Sequence, residues 1–151
     1  MKIIEIMNPV RTYYHVTPDT RLKKIMMMGI KPSRRRQWSN HMGARLGQTG
    51  MVYLFTDLDQ AIRFAAKLQW GLKSEKRKST DVDILELITN APVEPDDNIE
   101  AQLEGGGHWW KTKHLIPPQA IRRVIPLTGE MTRDLIARRN GQASGEIAGA
   151  A

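Results

Sequence analysis

The spacing of apolar and polar positions changes several times along the chain, and each change marks a predicted element. Arg11-Thr-Tyr-Tyr-His-Val-Thr-Pro18 concentrates aromatic and β-branched residues and stops at proline, so it reads as a strand with His15 towards its end. Thr17-Pro18-Asp19 then reads as a helix start, because the hydroxyl can accept a free N–H and proline at the first helical position loses nothing. Leu22, Ile25 and Met26 follow at helical spacing and Gly29 supplies the stop, which predicts a helix over 18–28 with Met26-Met-Met28 as packing residues. Met51-Val-Tyr-Leu-Phe55 is a continuous apolar run, as in a buried strand. Thr56-Asp57 caps a second helix with Leu58, Ala61, Ile62, Ala65 and Leu68 on its apolar face, ended by Gly71 before the solvated run 73–78. Strands are predicted over 82–88 and 122–127, and a short basic helix from after Thr128 to about Asn140.

Three stretches lack such a period. Residues 31–48 form a loop, 90–98 an acidic connection with prolines, and 100–110 a short element followed by the Gly105-Gly-Gly107 hinge and a tryptophan pair. Two helices among strands of mixed spacing, with no internal repeat, place the chain in the α+β class rather than a regular βαβ series. The 151 residues suffice for one core, taken as 1–127, with 128–151 a C-terminal basic helix and flexible tail.

Composition narrows the chemistry. The chain has no cysteine and only four histidines, so disulfides, thiolate metal sites and cysteine nucleophiles are excluded and no metal is expected. No run approaches the roughly 18–20 consecutive apolar residues of a spanning helix, so a cytoplasmic protein without a membrane partner is expected. Lys and Arg number 23 against 16 Asp and Glu, a net charge of +7 that favours polyanionic partners. The most basic stretch carries Lys31, Arg34, Arg35, Arg36, His41 and Arg45 without a carboxylate. Its guanidinium forks suit a pyrophosphate, or a nucleic acid or acidic protein with Trp38 stacking on a base.

Tyr14-His-Val-Thr-Pro with Leu22, Ile25 and Gly29-Ile-Lys-Pro32, then Val52-Tyr-Leu-Phe-Thr-Asp57 with Ala61 and Phe64-Ala, then Ile116-Pro-Pro-Gln-Ala-Ile121, together resemble the ADP-ribosyltransferase-like superfamily over residues 11–127. That family includes bacterial and phage ADP-ribosyltransferase toxins and RNA 2′-phosphotransferases. The resemblance implies a split β-sandwich with short helices whose cleft holds NAD. It also implies that His15 holds ribose hydroxyls, that Tyr53 stacks on nicotinamide, and that an acid of a third motif stabilises the ribosyl cation. At the third position this chain offers His108, Trp109 and Trp110, with Glu104 and Glu100 upstream, and Val16 stands where glycine is frequent.

Cleaving the nicotinamide–ribose bond builds positive charge on the sugar, so a carboxylate or aimed dipole near that ring lowers the barrier. The expected catalytic residues are therefore His15, Tyr53, Glu104 and His108, and the expected NAD-binding residues His15, Val16, Thr17, Arg34, Arg35 and Tyr53. The expected activity is NAD-dependent mono-ADP-ribosylation of a macromolecule, protein or nucleic acid, in a phage or toxin setting. The alternatives are a 2′-phosphotransferase acting on RNA, and a catalytically degenerate module that binds nucleic acid or a host protein.

Overall fold

The eight-residue strand β1 (Arg11–Pro18) alternates its side chains between two cores, with Tyr14 and Val16 on one face and Tyr13 on the other. This computed structural model describes residues 9–32, 50–96, 109–135 and 137–138. Beyond β1 lie β2 (Val52–Phe55), β3 (Val82–Thr89), β4 (Glu94–Pro95), β5 (Trp109–Thr112) and β6 (Ile121–Leu127). The helices are α1 (Leu22–Met28), α2 (Leu58–Ser74) and α3, which begins over residues 129–135. The class is α+β, with an antiparallel sheet of order β4-β5-β2-β1-β3-β6.

The sheet is split down its middle. β1 pairs with β3 along its whole length, from Arg11 opposite Thr89 to Pro18 opposite Val82, whereas β1 and β2 share one registered pair, Tyr14 opposite Phe55. The halves β4-β5-β2 and β1-β3-β6 therefore meet at a single point and part on either side of it.

Each face of the sheet carries its own apolar layer. α2 turns Ala61, Ile62, Phe64, Ala65, Leu68 and Leu72 onto Val16, Phe55, Val82, Ile84, Trp109 and Leu127. Phe55, Phe64 and Trp109 form a ring cluster with centroids 5.1–5.7 Å apart, geometry worth about 1 kcal/mol per pair beyond area burial. Gln69 is buried in the same face, and its Nε2 donates to the Leu127 carbonyl at 3.1 Å, tying α2 to the edge strand β6. On the opposite face Tyr13, Val52, Leu54, Leu85 and Leu87 pack under Ile25, Ile30 and Ile116. β3 serves both layers, which explains why its sequence is nearly continuously apolar.

Several local expectations are corrected. Thr17 does not cap a helix: β1 continues through Pro18, the Thr17 hydroxyl donates to the Pro18 carbonyl at 3.3 Å, and α1 is entered through a single 3-10 turn, Asp19–Arg21. The methionines of α1 do not pack. A helix of seven residues that turns Ile25 inward leaves the residues after it outside, and Met27 is 73% exposed. α2 runs past Gly71 to Ser74, and its stop is built from Lys76, whose N–H bonds Lys73 O, and Arg77, whose N–H bonds Leu72 O. This paired closure needs a left-handed residue, and Lys76 adopts φ 56° to provide it.

The acidic connection contains the two-residue edge strand β4, where Pro95 sits without an N–H to offer the ladder. The tryptophan pair begins a strand, β5, rather than ending a loop. Other expectations hold: Asp57 Oδ1 accepts from Asp59 N at 2.9 Å at the start of α2, and Gly29, at φ 85°, closes α1 with its N–H on Ile25 O. No helix among the described residues is long and apolar enough to cross a membrane.

Candidate functional site at the split

The place where β1 and β2 separate is occupied by a side chain. With Tyr14 opposite Phe55, a continuing ladder would set the next residues of each strand against one another. Instead the His15 ring reaches across, and its Nδ1 lies 2.8 Å from the Tyr53 carbonyl oxygen. A carbonyl oxygen only accepts, so Nδ1 carries the proton and donates it. The imidazole thus bridges the two half-sheets, and its Nε2 is left as a lone-pair acceptor.

The ring stays neutral well into the acid range. Burial pushes its pKa from 6.5 down to about 4; the bond to Tyr53 opposes this shift, and the Arg21 charge adds to it. Arg21 arrives here because β1 runs directly into the Asp19–Arg21 turn. Its own guanidinium pKa is lowered by partial desolvation and by the Arg77 charge, so two cations converge towards the end of β1. Arg77 pairs with Glu75, Nε to Oε2 at 3.1 Å; Arg21 has no carboxylate partner among the described residues.

Tyr53 is brought to His15 through its backbone and not its phenol. Alternation places the Tyr53 ring on the side of Phe55 and Lys111, and His15 on the side of Tyr13 and Thr17. Val16, 3% exposed, gives its side chain to the α2-facing core, and the Thr17 hydroxyl is committed to Pro18. Arg34, Arg35, Glu104 and His108 lie outside the described residues, as do Arg36, Trp38, Glu100 and the triple-glycine hinge.

Trp110, opposite Leu54 in β5, packs into the α1-side core, and among the described residues neither its buried indole N–H nor that of Trp109 has a hydrogen-bond partner. No group of three or more His, Asp or Glu among the described residues converges to hold a metal ion.

The chain shares its fold with EcPltA. That solved structure superposes with a TM-score of 0.53 over 79% of this chain and 77% of its own, at 13% sequence identity. No family model and no curated protein matches the sequence. At that identity the likeness to EcPltA concerns the fold alone.

The residue that the sequence reading missed is Arg21. Its signal was present, since an arginine closing the first turn after a strand-borne histidine is carried back towards the strand end by the turn itself. Arg34 to Arg36 stand out by their density, whereas Arg21 stands alone in sequence.

Proposed function

We propose that the chain is an NAD-dependent mono-ADP-ribosyltransferase that modifies a macromolecule, protein or nucleic acid, in the cytoplasm. The observation that carries this reading is the His15 imidazole, held neutral with its Nδ1 proton on Tyr53 O and its Nε2 lone pair free for a donor. A ribose hydroxyl is such a donor. An imidazolium would have no acceptor to offer it.

The chemistry of the donor set fits a dinucleotide. Arg21 supplies a guanidinium whose charge is felt at the imidazole, and a cation near a hydrogen-bond acceptor suits a pyrophosphate adjoining a ribose. The residue resemblance over 11–127 supplies the remaining expectation, that Glu104 or His108 assists the transfer, while the Tyr53 ring, on the other side of the sheet from His15, takes no part in holding the ribose. In the proposed reaction the C1–N bond to nicotinamide breaks and the bonding pair leaves with nicotinamide. The acceptor's nucleophilic atom then forms its bond to C1 and gives up its proton. The sugar is most positive between these events, and a carboxylate such as Glu104 would act there.

The test is calorimetry of NAD binding combined with transfer of labelled NAD onto lysate components. Wild type binds NAD, and His15→Ala weakens that binding by about tenfold, the loss of one good hydrogen bond. Because the imidazole titrates near pH 4, NAD affinity stays level from pH 8 to pH 5.5, where an ordinary histidine would already be charging. Protein that ignores millimolar NAD sinks the proposal, and NAD binding without any labelled acceptor moves the chain to the binding-module reading.

A further inference from the structure

α2 buries one face and leaves the other outward, and the outward stripe has an unusual composition. Arg63, Lys67, Trp70 and Ser74 recur at helical spacing along it, and Trp70 is 62% exposed. Beyond the last turn the chain continues through Lys76, Arg77 and Lys78. From Leu58 to Lys78, over α2 and its extension, six cations stand against two carboxylates, Asp59 in the first turn and Glu75, which Arg77 engages. We propose that this outward face of α2 and its cationic extension dock a single-stranded nucleic acid, with Trp70 stacking on a base and the flanking Lys and Arg side chains holding phosphates.

Three observations favour a strand over a protein partner. An exposed tryptophan that anchors a protein interface is ringed by other apolar side chains, with charge confined to the rim. Trp70 is ringed instead by Arg63, Lys67 and Lys73 within one or two turns, the alternation of π face and cation that successive bases and phosphates require. The second observation is the left-handed φ of 56° at Lys76, a position where glycine would be unstrained. A lysine held there keeps a cation at the helix end at the expense of backbone comfort.

The third observation is continuity. The Arg77 charge is felt at Arg21 and the Arg21 charge at His15, so two cations link the end of α2 to the split between β1 and β2, with the carboxylates of Asp19, Asp81 and Asp83 in the same region. A strand seated on Trp70 is thereby led towards the imidazole. The docking surface stands independently of any reaction there; that the strand is also the acceptor rests on the transferase reading.

The experiment uses the whole chain and a fluorescein-labelled mixed-sequence 20-nucleotide DNA strand, followed by anisotropy at several salt concentrations without NAD. Wild type binds with a steep salt dependence. Trp70→Ala weakens binding by about tenfold or more through the loss of a stacked base, and Lys73→Gln with Lys78→Gln lowers the log–log salt slope by about 1.4. Lys76→Gly melts higher than wild type yet binds the strand more weakly, a pair of opposite shifts that a merely structural role does not produce. Annealing the DNA to its complement hides the bases and removes the Trp70 contribution.

Strand binding identical in wild type and all three variants overturns the proposal, as does a polyglutamate peptide that competes equally and depends equally on Trp70. NAD calorimetry on the same variants separates the two readings. Lost strand dependence with intact NAD binding removes the surface alone, and Trp70-dependent strand binding by a protein silent to NAD removes the transferase alone.

Discussion

The half-buried imidazole at the split makes folding stability depend on pH in a way that can be assigned to one residue. In the folded chain His15 titrates near 4, and in the unfolded chain near 6.5. Between those values the unfolded state holds almost one proton more, so stability is full above pH 6.5 and is lost as pH falls through the window towards 4. The slope approaches 1.4 kcal/mol per pH unit, and by pH 5 the loss reaches about 2 kcal/mol, a sizeable part of the 5–15 kcal/mol typical of a domain. His15→Asn is the informative perturbation, because an asparagine Nδ2 can still donate to the Tyr53 carbonyl while nothing titrates. Urea unfolding of both proteins at steps from pH 7.5 to 5 measures the difference between them. His41, His108, His114 and all the carboxylates are common to both and cancel. Wild type should lose about 2 kcal/mol relative to His15→Asn across that range. Two curves that run parallel would show that the ring is not held neutral by burial, and the argument for a fixed Nε2 acceptor would go with them.

Gly29→Ala should destabilise by about 3 kcal/mol or more, a melting shift near 10 °C, because φ 85° with extended ψ is glycine territory and an added Cβ would run into the Ile116 carbonyl oxygen. An unshifted melting curve would refute the close approach of α1's end to the Ile116-Pro117 turn. Lys76→Gly should gain roughly 1 kcal/mol in urea unfolding by relieving a left-handed lysine; no gain would mean that the Lys76 side chain repays its own strain. Asp83 is 4% exposed, its Oδ2 has no partner among the described residues, and burial raises its pKa, with the charges of Asp19 and Asp81 adding to the effect. Its folded form holds the proton more tightly, so stability falls as pH rises through the raised value, and Asp83→Asn should stabilise the protein at pH 7 but not at pH 3. A benefit equal at both pH values would assign the effect to packing instead.

What the sequence made legible follows from how each feature is encoded. β1, β2, β3, β6 and α2 are long or strongly apolar enough that one period dominates, and each lies within a few residues of its expected place. β4 and β5 were not legible. β4 is two residues long and exists only because β5 offers it an edge, so Glu94-Pro95 carries no local signature of a strand. Trp109 and Trp110 read as a pair because sequence shows adjacency, whereas the sheet sends them to opposite faces, Trp109 against Phe55 and Phe64 and Trp110 beside Leu54. Gly71 looked like a helix stop for the same reason: a turn of helix beyond it is held by backbone bonds from Lys76 and Arg77, which no residue type announces.

At the site, the sequence named His15 and Tyr53 but could not say how they meet. Tyrosine was chosen for its ring, yet the contact runs through its carbonyl, a group every residue possesses, and it arises because β1 and β2 stop pairing one residue earlier. That loss of register sets the chemistry in three steps. An interrupted ladder leaves the Tyr53 carbonyl needing a donor, since a buried acceptor without one is costly. The side chain delivered there is an imidazole, which must enter with Nδ1 protonated and so presents Nε2 as an acceptor. The Asp19–Arg21 turn at the end of the same strand adds the Arg21 charge, which makes the protonated imidazole still less favourable. Splitting the sheet and fixing the tautomer are thus one structural event. A substitution that closed the β1–β2 ladder would stabilise the sheet and, by satisfying Tyr53 O from a backbone N–H, release His15 from its fixed tautomer.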